Sequence, residues 1–158
     1  MKKIFIIIFC FVLCIGYAQK LKNKDGIISV EKLNYIKISE DKVTNDNYII
    51  SNLDNKELFY LKKRFFSDSS TVQYFNGVKS GGSVYFYEIL SSNLEKVYFE
   101  VGLKPSMGGG WRFIEYAIKS LYNGEAINSD GTLNIEKLDI LEKKVGFEFS
   151  TKEKKLKE

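Results

Sequence analysis

The hydrophobic period of this chain changes once, across Pro105 and the glycines at 108–110. Before that break, Leu58 to Phe66, Thr71 to Phe75, Val84 to Leu90 and Val97 to Leu103 are rich in β-branched and aromatic residues. They are separated by Ser67-Asp68-Ser69-Ser70, by Gly77 to Ser83 and by Ser91-Ser92-Asn93, short polar breaks of the kind that join antiparallel strands. In the last segment Val97, Phe99, Val101 and Leu103 alternate with Tyr98, Glu100 and Gly102, the pattern of a half-buried sheet. After the break, Phe113, Ile114, Ala117, Ile118, Leu121 and Tyr122 fall on one face of a helix that begins at Trp111 and ends at Asn123-Gly124. A left-handed cap suits Gly124. A second helix starts at about Ile135, with Ile135, Leu138, Leu141 and Val145 as its apolar stripe and Gly146 as its stop. Strands grouped first and helices grouped later specify an α+β fold. The expected architecture is an antiparallel meander of about five or six strands, with two C-terminal amphipathic helices packed on one sheet face.

The N-terminal half is less regular. Ile27 to Val30, Tyr35 to Ser39 and Tyr48 to Ile50 read as short strands, with polar turns at Glu40 to Asn47 and at Asp54-Asn55. Lys20 to Asp25 reads as a loose charged leader to the domain, Phe147-Glu148-Phe149 as a closing strand, and residues 151–158 as a charged flexible tail. No internal repeat or low-complexity linker divides the chain. The expected division is therefore 1–18 as a targeting segment, 19–150 as one α+β domain and 151–158 as tail.

Met1-Lys2-Lys3, an apolar run from Ile4 to Ile15 and Gly16-Tyr17-Ala18 form the three parts of a secretory signal peptide. Counted to Ala18, the run is about 15 residues, short of the roughly 20 that a membrane-spanning helix needs. No stable membrane span is expected once the segment is cleaved, and the address is the periplasm or the extracellular space. Phe9 and Leu13, the residues before Cys10 and Cys14, are too large for a lipid-attachment site.

Both cysteines lie within that segment, and the chain contains no histidine. Residues 19–158 thus lack thiol chemistry, disulfides, the commonest general base and the commonest metal ligand. Lys2 and Lys3 take two of the +4 formal charge with them and leave +2, too little and too scattered for a nucleic-acid footprint. No cofactor is called for.

Carboxylates, tyrosines and hydroxyls remain as candidate functional groups. Tyr85, Tyr87 and Tyr98, with Trp111 and Arg112 close to the end of the sheet, are the candidate ligand or partner surface. Aromatic rings on a rigid sheet stack on sugars or on a partner protein, although Val84 and Phe86 between the tyrosines also fit a central strand covered on both faces. Glu88 with Glu100, and Asp139 with Glu142, are acid pairs of the kind that does general acid–base work inside a pocket and is surface decoration without one; surface decoration is the expectation here. Asn128, Asp130 and Gly131 resemble part of a calcium loop, but Ala126 and Lys137 stand where ligands belong, so an inter-helix turn capped by Asn134 or Thr132 is expected. Gly108-Gly109-Gly110 lacks the spacing of a phosphate-binding loop. Lys62-Lys63-Arg64 is a cation run whose side chains alternate between sheet faces.

These features imply an exported, non-catalytic binding domain with an envelope or extracellular protein as partner and a glycan as the other ligand class. The alternatives are a carboxylate-dependent enzyme acting on glycan or cell-wall material, and an inhibitor or immunity-type protein. The mass of the exported protein is expected to match a chain starting at Gln19. A mass matching Met1, or one carrying acyl chains, overturns the signal-peptide reading.

Overall fold

The computed structural model of the chain describes residues 21–75, 78–102 and 111–158. The expected signal peptide and the glycines at 108–110 lie outside the described residues. The fold is α+β, with all strands before all helices. Strands β1 (Leu21–Lys24), β2 (Ile27–Val30), β3 (Leu33–Glu40), β4 (Tyr48–Ser51), β5 (Glu57–Ser67), β8 (Ser83–Ser91) and β9 (Val97–Gly102) form one antiparallel sheet in the order β1-β2-β3-β4-β5-β8-β9. Seven strands exceed the five or six expected. The additional one is β1, at the segment read as a loose leader. Its hairpin to β2 turns on Asp25 and Gly26, both at positive φ (53° and 80°), the conformation that suits an Asp-Gly two-residue turn. A Cβ on Gly26 would lie 2.8 Å from the Ile38 carbonyl oxygen, so the turn also needs glycine for space.

The meander is interrupted once. Thr71 to Phe75 does not join the main sheet: Ser69–Thr71 is a 3-10 turn, and β6 (Gln73–Phe75) pairs only with β7 (Val78–Ser80). Consequently β5 pairs directly with β8 over Phe59 to Ser67, in one unbroken register. Phe59, Leu61, Lys63 and Phe65 share a face with Ile89, Tyr87 and Tyr85. Arg64 and Phe66 share the other with Phe86 and Glu88.

The first face carries the main core. Ile28, Ile36, Ile50, Phe59, Leu61, Ile89, Phe99 and Val101 meet Ile114, Ala117, Ile118 and Leu121 of α1 (Trp111–Asn123) and Leu138 and Leu141 of α2 (Ile135–Val145). Both helices lie on this face, as the sequence implied. Ile135, expected in the stripe of α2, is 56% exposed because it is the first helical residue and precedes the part of α2 that meets the sheet. Glu125, at φ 52°, takes the left-handed position expected of Gly124. Gly124 is needed for space, since its Cβ would sit 2.9 Å from the Ser120 carbonyl oxygen and 3.1 Å from Leu141. Buried Asn52 ties the α1–α2 loop to the sheet by donating to the Gly131 carbonyl (3.2 Å).

A third helix, α3 (Glu148–Lys157), replaces both the closing strand at Phe147-Glu148-Phe149 and the flexible tail at 151–158. It lies on the second face. Phe149 stacks on Phe86 at 5.3 Å and occupies the space where a side chain at position 102 would be, which requires Gly102. Glu100, 4% exposed, accepts from the backbone N–H groups of Phe149 (2.9 Å) and Ser150 (3.0 Å) and so caps the helix. Lys152 pairs with buried Asp68 at 2.6 Å, and Glu153 with Arg64 at 3.9 Å. Lysines 154, 155 and 157 suit the carboxyl end of the helix dipole.

Hydrogen bonds from Lys152 and Ser70 hold the Asp68 carboxyl at about 2, below its ordinary 3.8. A depressed carboxylate contributes stability that is full above its unfolded value and disappears as pH falls through the folded one. Asp68→Asn is therefore expected to unfold at lower urea than wild type at pH 7, and the difference is expected to close as pH approaches 2. A gap that is unchanged between pH 7 and pH 2 overturns this assignment.

Candidate aromatic surface

Of the five residues singled out in the sequence, the three tyrosines occupy three different environments. Tyr85 and Tyr87 lie on the same face of β8 but differ in burial. Tyr87 is buried at 5% exposure, with Phe113 of α1 at 5.7 Å and Tyr48 of β4 at 6.2 Å, and its hydroxyl donates to the Asp46 carbonyl at 2.9 Å. Burial pushes its pKa upward, followed by Tyr48 and the carboxylates of Asp46 and Glu40. Tyr85, two residues earlier, is 45% exposed. It pairs across the β5–β8 ladder with Phe65, 64% exposed, at a ring separation of 5.8 Å and a tilt of 34°. Lys63 lies 5.5 Å from the centre of the Tyr85 ring and forms an ion pair with Asp46 at 2.7 Å. Two half-open rings on adjacent interior strands, flanked by that ion pair, make a small amphipathic surface.

Tyr98 does not belong to it. The β8–β9 register shifts between Ile89 and Leu90, and this bulge brings Tyr98 into the same core as Phe99 instead of the opposite face. It packs edge-on against Phe59 at 5.8 Å, beneath Lys96, which bonds Glu142 (3.0 Å) and Asp139 (3.3 Å) of α2. Trp111 and Arg112 open α1, and their side chains lie outside the described residues. The structure thus brings together Tyr85 and three residues that the sequence did not join to it, Phe65, Lys63 and Asp46. The signal for Phe65 was present: counting back from equal hairpin arms places it opposite Tyr85, but only if Thr71 to Phe75 is left out of the sheet.

The remaining candidates serve the fold. Glu88 and Glu100 do face each other across β8 and β9, yet Glu88 meets Arg64 at 3.2 Å and Glu100 caps α3. The Asn128–Gly131 loop is the inter-helix turn expected. Asp130 accepts from Thr132 N–H (2.9 Å) and Oγ1 (2.6 Å), Asn128 donates to Thr132, and Asn134 caps α2 by accepting from Lys137 N–H (3.2 Å). Hydrogen bonds from Thr132 lower the Asp130 pKa. Lys137 instead pairs with Glu125 at 2.6 Å. Lys63 and its neighbours alternate faces as expected, but β5 is an interior strand, so they do not guard a sheet edge. Among the described residues no group of three His, Cys, Asp or Glu is placed to hold a metal ion, and no helix is long and apolar enough to cross a membrane. Open grooves lie elsewhere among the described residues. One of about 440 Å³ runs between α1 and α2 past Tyr116, Ile140 and Lys144, and one of about 490 Å³ lies at the α2–α3 joint beside Phe147 and Lys155.

Compared with protein-family models, with curated proteins and with solved structures, the chain matches none.

The two tyrosines of β8 are expected to behave differently. Tyr87→Phe removes a buried hydroxyl's hydrogen bond and should cost about 1 kcal/mol in urea unfolding. Tyr85→Phe, which removes the hydroxyl of the half-open ring and keeps its pairing with Phe65, should change stability by no more than about 0.5 kcal/mol. Equal losses from the two contradict the division into a covered and an open ring.

Proposed function

We propose that this chain is an exported, non-catalytic binding domain and that its contact surface is centred on Phe65 and Tyr85. The observation that carries the proposal is the pairing of two half-open rings on the two longest strands of the sheet. Large rings held by interior strands lose little freedom on binding, and aromatic side chains are enriched among residues that dominate interface energy. The Lys63–Asp46 pair supplies a polar rim, the arrangement in which partly exposed charges help orientation more than affinity. The proposed leader over 1–18 would put the partner in the envelope or outside the cell, and an aromatic pair with a charged rim suits a protein. A glycan is the second reading, since the tilted Phe65–Tyr85 pair also offers stacking faces.

The test compares capture from envelope and medium fractions by the exported protein and by a Phe65→Ser, Tyr85→Ser double variant of matched thermal stability. A protein enriched by the wild type and lost with the double variant supports the proposal. Equal capture by both moves the binding surface elsewhere. Glycan-array binding that is lost in the double variant, with no protein captured, selects the second reading.

A further inference from the structure

We infer that α3 is a strap that lifts from the sheet as a unit while the rest of the fold stays closed. The inference stands on the opposite face from the Phe65–Tyr85 surface and does not depend on it.

The three helices are held in different ways. Helix α1 buries Ile114, Ala117, Ile118 and Leu121, and α2 buries Leu138 and Leu141, so neither can leave without opening the main core. None of the 10 residues of α3 is buried. A helix this short is marginal in water on its own, so its helicity depends on what it touches. Its anchors are one aromatic stack, Phe149 on Phe86; one carboxylate cap, Glu100; and two ion pairs, Lys152–Asp68 and Glu153–Arg64. Each anchor lies on the helix's first six residues, and all of them can be released without moving a core side chain.

The hinge is visible. Gly146, at φ 71°, ends α2, and nothing lies within 4 Å of where its Cβ would be. The Gly146 carbonyl accepts the Glu100 N–H at 3.2 Å and pins the pivot to the edge of β9. Phe147 follows without a side-chain cap of its own. Everything after it can swing about a fixed point. Lifting removes the Phe149 ring from Phe86, now 0% exposed, and strips Glu100 of two donors and Asp68 of its cation. The open state therefore presents an aromatic ring with two carboxylates that the closed state pairs.

Gly102 offers a selective release. Its backbone is not in the left-handed region, so alanine is compatible with the strand, but the added methyl carbon would fall on the Phe149 ring. The test is native-state hydrogen exchange on the exported protein and on Gly102→Ala, Glu100→Gln and Lys152→Ala. In the wild type the α3 amides are expected to exchange at least about tenfold faster than those of β5 and β8, as a sub-global opening requires. Gly102→Ala is expected to speed α3 by about a further tenfold, and Leu121→Val in the main core to speed β5 and β8 while leaving α3 at its wild-type rate. Raised salt is expected to speed α3 through the two ion pairs. Exchange of α3 in step with β5 and β8 in the wild type, unchanged α3 exchange in Gly102→Ala, or a core variant that accelerates α3 together with the sheet overturns the strap. Should Gly102→Ala not fold, the same comparison is read from Lys152→Ala, whose side chain is 47% exposed and whose loss leaves the core intact.

Discussion

The pairing of β5 with β8 is the constraint from which the rest of the molecule follows. These are the longest strands of the sheet, joined from Phe59 to Ser67 without a register break. Side chains alternate along a strand, so fixing one pair fixes the face of every other. One face receives Phe59, Leu61, Ile89 and Tyr87, a continuous apolar strip on which α1 and α2 settle. The other receives Arg64, Phe66, Phe86 and Glu88, a mixed strip that no all-apolar helix face would match. A slip of one residue would put Arg64 under α1 and Leu61 in solvent.

The two faces are consequently stabilised by different physics. Burial of aliphatic and aromatic surface holds α1 and α2, an interaction without direction that scales with area. Contacts of fixed geometry hold α3: a carboxylate aimed at two backbone N–H groups, a ring seated on a glycine, and cations placed against acids. Buried Glu100 is the centre of that arrangement. Its carboxylate would be costly at 4% exposure without donors, and the two free N–H groups at the start of α3 meet the need while losing their own unsatisfied state. The sheet and the last helix each supply what the other lacks.

This division also explains which parts of the fold were legible in the sequence. Where area decides, period reports it: the meander, α1, α2 and the shared face of Phe113, Ile114, Ala117, Ile118 and Leu121 follow from spacing. Where geometry decides, spacing misleads. Phe147-Glu148-Phe149 alternates like a strand, but its cap comes from Glu100, distant in sequence, and only the tertiary contact makes a helix of it. The charged run at Lys22 to Asp25 hides an edge strand that its Asp-Gly turn specifies. A single bulge moves Tyr98 into the core with Phe99. For the candidate surface the limit is sharper. Tyr85 and Tyr87 have the same period, strand and chemistry, and differ in that Phe113, Tyr48 and Asp46 lie against Tyr87, which no pattern within β8 encodes.

That difference bears on why Phe65 and Tyr85 are aromatic at all. Lone exposed apolar residues need no explanation in a folded protein. A cross-strand pair is another matter, because the two rings contact each other and extend the apolar strip past the edge of its cover. The core does not require them: Ile89, Leu61 and Tyr87 already fill the space under α1, and serine or threonine at both positions would keep the β-pairing and remove apolar surface from water. Solubility alone therefore favours polar residues there. Interior strands also give the pair a fixed geometry that an edge strand or a loop would not, at the cost of leaving apolar surface wet in the unbound protein. The proposed contact surface, complete only when a partner covers it, would reconcile the rigidity of the site with its exposure.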